Sequence, residues 1–242
     1  MGLLSRILER LGGREEEECS SYEEYKSEHH IAAAELFDVS NCTKDNATVF
    51  LNVLSVADSH GKLMQKDLKN TLYSSPTPDI VVLLGDNAPD DLEAVLDVLP
   101  EDMPIYGVEG NHDEKGVLQR YNRILDVNGR CIASSPSCVI GGLSGSIKYK
   151  DSDYYAMLTN EESEQVMKNM PHCDILITHD KPCFELPDVI TAHSGLTGIG
   201  KYIQAQSPHI VLHGHLHDRY IKRYRNTIIR CCYGVEAFTI AF

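Results

Sequence analysis

The sequence predicts an α/β fold with parallel strands inside and helices outside. Three observations predict it. Short apolar runs rich in β-branched residues recur from about residue 48 onward, each of strand length. Segments with helical spacing separate the early runs. Most of these runs end in a small cluster of Gly, Asp, Asn or His, and open α/β sheets gather their functional groups just outside the carboxyl ends of their strands.

The elements follow in order. Val49 to Val56 reads as a strand covered on both faces, and it leads into Asp58-Ser59-His60-Gly61, where Gly61 permits a sharp turn. Lys62 to Tyr73 reads as a helix closed off by Ser74-Ser75-Pro76. Asp79 to Leu84 is a second buried strand, ending in Gly85-Asp86-Asn87. Asp90 to Leu99 is a short helix whose acidic start suits the helix dipole. Ile105 to Val108 is a third strand, running to Gly110-Asn111-His112-Asp113, and Lys115 to Leu125 returns as a helix. This βαβαβ start implies parallel pairing. Ser137 to Leu143 reads as a strand in which Gly141 and Gly142, with Gly145 beyond, suggest close backbone approach. Thr159-Asn160-Glu161-Glu162 has capping-box spacing before a helix over Ser163 to Met170. Asp174 to Thr178 is a buried strand that delivers His179. A Gly-rich loop around Ser194 to Gly200 leads into a helix over Lys201 to Gln206. Ile210 to Leu212 is a strand tip carrying His213-Gly214-His215-Leu216-His217, and two or three strands close the chain between Tyr220 and Phe242.

The 242 residues are enough for one large domain or a domain with an appendage. Apolar residues make up 42% and charged residues 24%, ordinary for a globular protein. No apolar run reaches the roughly 18 to 20 residues of a membrane span, and the N-terminus lacks the features of a secretory signal. A net charge of -14 argues against a broad nucleic-acid or anionic-membrane surface. It also means that a phosphate substrate needs a local source of positive charge. Eight cysteines without CxxC spacing, and without an export signal, read as reduced thiols of a cytoplasmic protein. Residues 1–45 form an N-terminal extension distinct from the domain at 46–242. Leu3, Leu4, Ile7, Leu8 and Leu11 fall at helical spacing among Arg6, Arg10 and Arg14. This stretch suits either contact with a partner or membrane surface, or packing on the domain itself. Glu15 to Glu18 reads as a solvated linker, and Tyr22 to Phe37 as a further helix with His29 and His30 at its surface.

Five strand ends carry metal-type ligands: Asp58 and His60; Asp86; Asn111 and His112; His179; His215 and His217. Each could serve a turn or a cap. Together, at successive strand ends, they point to one crevice. Their donors are nitrogen and oxygen only, which suits manganese, iron or zinc.

Asp58-x-His60, Gly85-Asp86, Gly110-Asn111-His112-Asp113, His179 and Gly214-His215-x-His217 resemble the motif blocks of the calcineurin-like metallophosphoesterases. The resemblance spans about residues 48 to 242. It implies a four-layer αββα sandwich of two mixed sheets with a binuclear metal site at the strand C-terminal ends. Carried over, Asp58, His60 and His217 hold one divalent ion, Asn111, His179 and His215 hold the second, and Asp86 bridges them. The implied activity is phosphoester hydrolysis, on a diester or a monoester, by a hydroxide shared between two ions about 3.5 to 4 Å apart, with His112 as proton donor to the leaving alcohol. Asp113 either orients His112 or stabilises its turn. His193 lies in the Pro182 to Gly198 loop, within possible reach of substrate. One departure is clear. Asn87-Ala88-Pro89 stands where the phosphoprotein phosphatases of the superfamily carry a further Asp and an Arg-Gly pair, so their phosphate clamp is missing. A metal-binding interaction module of the same fold is the alternative reading, and the acidic balance counts against a nuclease.

Overall fold

The computed structural model describes residues 36–38, 50–135 and 138–241. One mixed sheet holds β1 (Leu36–Asp38), β2 (Phe50–Ala57), β3 (Ile80–Leu84), β4 (Ile105–Val108), β5 (Ile124–Asp126) and β14 (Gly234–Ala241), in the order β1-β14-β2-β3-β4-β5. The other holds β6 (Cys131–Ser135), β7 (Cys138–Leu143), β10 (Ile175–Thr178), β11 (Ile210–His213), β12 (Tyr220–Tyr224) and β13 (Thr227–Cys231), in the order β12-β13-β11-β10-β7-β6. A short separate pair joins β8 (Ser146–Ile147) to β9 (Met157–Leu158). Four α-helices are described: α1 (Gln65–Tyr73), α2 (Pro89–Val98), α3 (Asn160–Asn169) and α4 (Thr197–Gln206).

Side chains alternate along the central strands, and both of their faces are covered. Val53, Ile80 and Val82 of the first sheet turn inward and pack with Ile175, Ile177 and Leu212 of the second. Their neighbours Leu54, Val81 and Leu83 turn outward onto Leu68 of α1 and Leu92 and Val95 of α2. On the far side, Leu176 and Val211 pack against Met167 of α3 and Ile199 and Tyr202 of α4. The result is helix, sheet, sheet, helix: the four-layer sandwich. Burial on both faces is why these strands read as unbroken apolar runs.

β2–β3, β3–β4, β10–β11 and β7–β10 pair in parallel, as the alternating pattern implies. The capping box at α3 is present: Thr159 Oγ1 accepts from Glu162 N (3.2 Å), and Glu162 Oε2 accepts from Thr159 N (2.8 Å).

Two sequence expectations are corrected. The helix expected over Lys115 to Leu125 is a single 3-10 turn, Val117–Arg120, followed by β5. Gly116 enters the left-handed region (φ 82°), and Ile124 pairs with Ile105 at the sheet edge. The Arg123 guanidinium donates to the carbonyl oxygens of Leu96, Leu99 and Pro100, tying this segment to the end of α2. The helix expected over Tyr22 to Phe37 fails at its last two residues, because Leu36 and Phe37 lie in β1, paired in parallel with β14. The rest of that segment, the amphipathic stretch with its partner or membrane contact, and most of the 1–45 extension lie outside the described residues. β6, short and partly exposed, carries no apolar pattern that sequence could flag.

Leu83 is fully buried between the first sheet and its helices. Leu83→Ala is expected to cost about 2–5 kcal/mol, read as a lower midpoint in urea unfolding.

Candidate metal centre

β2, β3 and β4 are neighbours in one sheet, and β10 and β11 are neighbours in the other. Each delivers its motif block just past its last residue. The backbone then stitches these ends together. Asp58 N donates to Gly85 O (3.1 Å), His60 N to Asp86 O (3.0 Å), and Gly214 N to His179 O (3.1 Å). The Asp58 carboxylate accepts the His215 N–H (2.9 Å to Oδ2), joining the two sheets. Asp86 Oδ1 accepts the His112 N–H (2.7 Å).

The local backbone is bent to aim these side chains. Asp58, His60, Asp86, His215 and His217 all have positive φ, between 48° and 71°. Only two other non-glycine residues do so among those described, Ser207 and Arg225. Such conformations are uncommon outside glycine and persist where surrounding bonds over-determine them. The motif glycines have a separate reason. A Cβ on Gly85 would meet Gly110 N and His179 Nδ1 at 2.6 Å, and one on Gly110 would overlap Asp86. The loops after β3 and β4 can therefore touch only through glycine.

Two triads result. Donor atoms of Asp58, His60 and His217 lie within 4.8 Å of one another, as do those of Asp86, His179 and His215. Asp86 Oδ2 stands between the triads, 3.6 Å from His179 Nε2 and 3.8 Å from His60 Nε2. Asn111 joins the second triad, its Oδ1 2.9 Å from His179 Nε2.

These residues fit a pair of divalent cations. His179 Nδ1 donates to Leu84 O (2.8 Å), so a neutral His179 carries its lone pair on Nε2. Asn111 Nδ2 donates to Tyr149 Oη (3.5 Å), which turns Oδ1 toward that lone pair. Two acceptors facing each other at hydrogen-bond distance repel unless a cation lies between them. The electrostatics agree. Burial first, and the Asp86 charge second, push Asp58 up to about 8. Burial pulls His179 down to about 4 and also lowers His60, His215 and His217, so the imidazoles are in the neutral form that binds metals.

The remaining sequence candidates are placed as follows. The His112 ring is exposed and meets the His60 ring edge-on, centroids 5.3 Å apart. Asp113 Oδ2 accepts from Asp86 N (2.8 Å) and Gly110 N (2.7 Å), bonds that describe the turn-holding role. The His193 ring is 5.0 Å from His215, whose Nε2 faces Ala192 O at 2.7 Å.

The sequence family described as the calcineurin-like phosphoesterase superfamily domain matches residues 51–231. The chain belongs to this superfamily. Its members are mostly metal-dependent phosphoesterases. Solved structures of low sequence identity share the fold. The protein TT1561 of Thermus thermophilus superposes with TM-score 0.57 at 16% identity, over 77% of this chain and 90% of its own. A putative 5'-nucleotidase from Staphylococcus aureus superposes with TM-score 0.50 at 12% identity, over 79% of this chain and 51% of its own. A comparison with curated proteins gave no match.

Two supporting residues escaped the sequence reading. Asp91 appears there only as part of an acidic helix start. Its buried carboxylate accepts from Gly61 N (2.6 Å), Leu63 N (2.9 Å) and Ala88 N (2.9 Å), locking the superfamily's first two motif blocks together. The Ser59 hydroxyl is within reach of the same carboxylate (2.8 Å) and of Asn87 Oδ1 (2.6 Å). Tyr233 stacks on the His217 ring, centroids 5.2 Å apart. Neither Asp91 nor Tyr233 has a spacing signal, because both act from positions outside the motif blocks.

Two outcomes follow. Asp91→Ala orphans three backbone N–H groups and is expected to weaken metal binding about 10–100-fold, measured by competition with a chelating dye. In metal-free protein, Asp58 binds a proton in the folded state that the unfolded chain releases near 3.8. Its contribution is present at low pH and is lost as pH rises from about 4 to about 8, whereas bound metal replaces that proton. The gain in melting temperature on adding manganese should therefore widen between about pH 5.5 and about pH 8.5.

Proposed function

We propose that this chain is a binuclear metal-dependent phosphoesterase acting on phosphomonoesters or phosphodiesters. The observation that carries the reading is the meeting of two donor triads, from four strand ends, around Asp86 Oδ2, with Asn111 from a fifth beside His179. Asp58, His60 and His217 hold one ion, and Asn111, His179 and His215 the other, with Asp86 shared between them. Two such cations supply positive charge for the phosphate oxygens and make water acidic enough to attack near neutral pH. Manganese is the ion we assign, with iron and zinc as competitors for the same nitrogen and oxygen donors.

The rest belongs to the chain itself. His112 is held at its backbone by Asp86 Oδ1, while its ring is free in solvent beside the cluster. It gives a proton to the departing alcohol. Asp113 is a positioning residue, fixing the Gly110 turn against Asp86. The six described cysteines are free thiols, which supports the cytoplasmic assignment. No helix among the described residues is long and apolar enough to cross a membrane.

The test is hydrolysis of p-nitrophenyl phosphate and bis-p-nitrophenyl phosphate with manganese. Asp86→Ala should abolish activity while the far-ultraviolet dichroism is retained. Equal rates in wild type and variant would remove the proposal. His112→Gln should lower kcat about 10²–10⁴-fold on an alkyl phosphate but much less on a nitrophenyl ester, whose leaving group departs without a proton.

A further inference from the structure

The fold leaves one question about the substrate open. The chain is acidic, and its Asn87-Ala88 loop carries no arginine where a phosphate clamp would sit. A cation for the organic part of the substrate has to come from another element. The segment between β8 and β9 supplies one.

This segment is fixed to the edge of the cluster. Lys115 N donates to Tyr154 O (3.1 Å), and Glu114 and Tyr155 form an isolated antiparallel bridge, so the segment is pinned to the turn that follows His112. Tyr149 Oη meets the Asn111 amide (3.5 Å), and the Tyr155 ring lies 6.5 Å from the His112 ring. Between the two tyrosines stands Lys150. Its Nζ is 4.8 Å from the Tyr155 ring centre and 5.3 Å from that of Tyr149.

Three facts make this lysine unusual. First, two aromatic faces hold the ammonium, an arrangement that stabilises the charge without neutralising it. Second, two of the neighbouring acids are paired elsewhere. Asp151 pairs with Lys148 (2.9 Å), and Glu114 pairs with Arg120 (2.5 Å). Among the described residues no carboxylate pairs with Lys150, in a chain of net charge -14. Third, Tyr155 borders His112, the proposed proton donor, so the ammonium would stand near the side from which the proposed leaving group departs.

We propose that Lys150, cradled by Tyr149 and Tyr155, determines specificity by binding a second anionic group, a phosphate or a carboxylate, on the alcohol portion of the phosphoester. This rests on the phosphoesterase reading and narrows it to substrates carrying two negative groups. A scissile phosphate at Asn111 and His112 places a nearby anion within reach of the flexible ammonium. The tyrosines limit its travel, so less rotamer freedom is lost when the anion arrives.

The experiment compares three non-hydrolysable anions as competitive inhibitors of p-nitrophenyl phosphate hydrolysis, with manganese in excess. Methylphosphonate carries one anionic group, phosphonoacetate adds a carboxylate, and methylenediphosphonate adds a second phosphonate. In wild type, at least one of the two-headed anions should inhibit about 10-fold more tightly than methylphosphonate, and the better one identifies the second group. Lys150→Met, which keeps the stem and removes the charge, should bring that ratio below about threefold. Tyr155→Ala should do likewise, and Tyr155→Phe should not, because the ring face is kept. A ratio near one in wild type, or an unchanged ratio in Lys150→Met, overturns the proposal. A loss of affinity for all three anions alike assigns Lys150 a structural role and also overturns it. Calorimetric titration of manganese-loaded protein reads the same ratios without turnover. Absence of hydrolysis by wild type would therefore count against the phosphoesterase reading alone.

Discussion

Asp58 and Asp86 are buried at the ends of adjacent strands, and their mutual repulsion is the constraint to which the rest of the site responds. Burial and the neighbouring Asp86 charge both disfavour ionisation of Asp58, which hydrogen bonds or a nearby cation would stabilise. Four imidazoles with lowered proton affinity face the carboxylates, and the backbone N–H groups of His112 and His215 point at them. Left-handed turns at five of these positions are the conformational cost of aiming so many donors inward.

Much of this was visible in the sequence. The apolar runs report burial on both sheet faces, and the motif blocks stand at strand ends because strands in such folds deliver their chemistry there. Asp58, His60, Asp86, Asn111, His179, His215 and His217 do converge. What escaped was of two kinds. The segment around Val117 and Ile124 has helical spacing, yet its fate is settled by Gly116 and by an open sheet edge, which are tertiary facts. Asp91 and Tyr233 support the cluster through contacts made only after folding, so no local pattern marks them.

The superfamily's shared core explains phosphoester chemistry but not selection among phosphoesters. Loops 149–155 and 182–198 border the cluster and differ in character. The first presents Lys150 between tyrosines, and the second presents Leu186, Val189 and Ile190 to solvent.

The placement of β14 has a consequence for biogenesis. It sits inside the first sheet, between β1 and β2, with eight residues in antiparallel register along β2. Every proposed ligand precedes it in the chain. Until it inserts, β2, the strand that carries Asp58, has an unpaired edge inside the nascent polypeptide. A chain truncated before Gly234 would leave β2, which leads into Asp58, without the antiparallel partner along that edge.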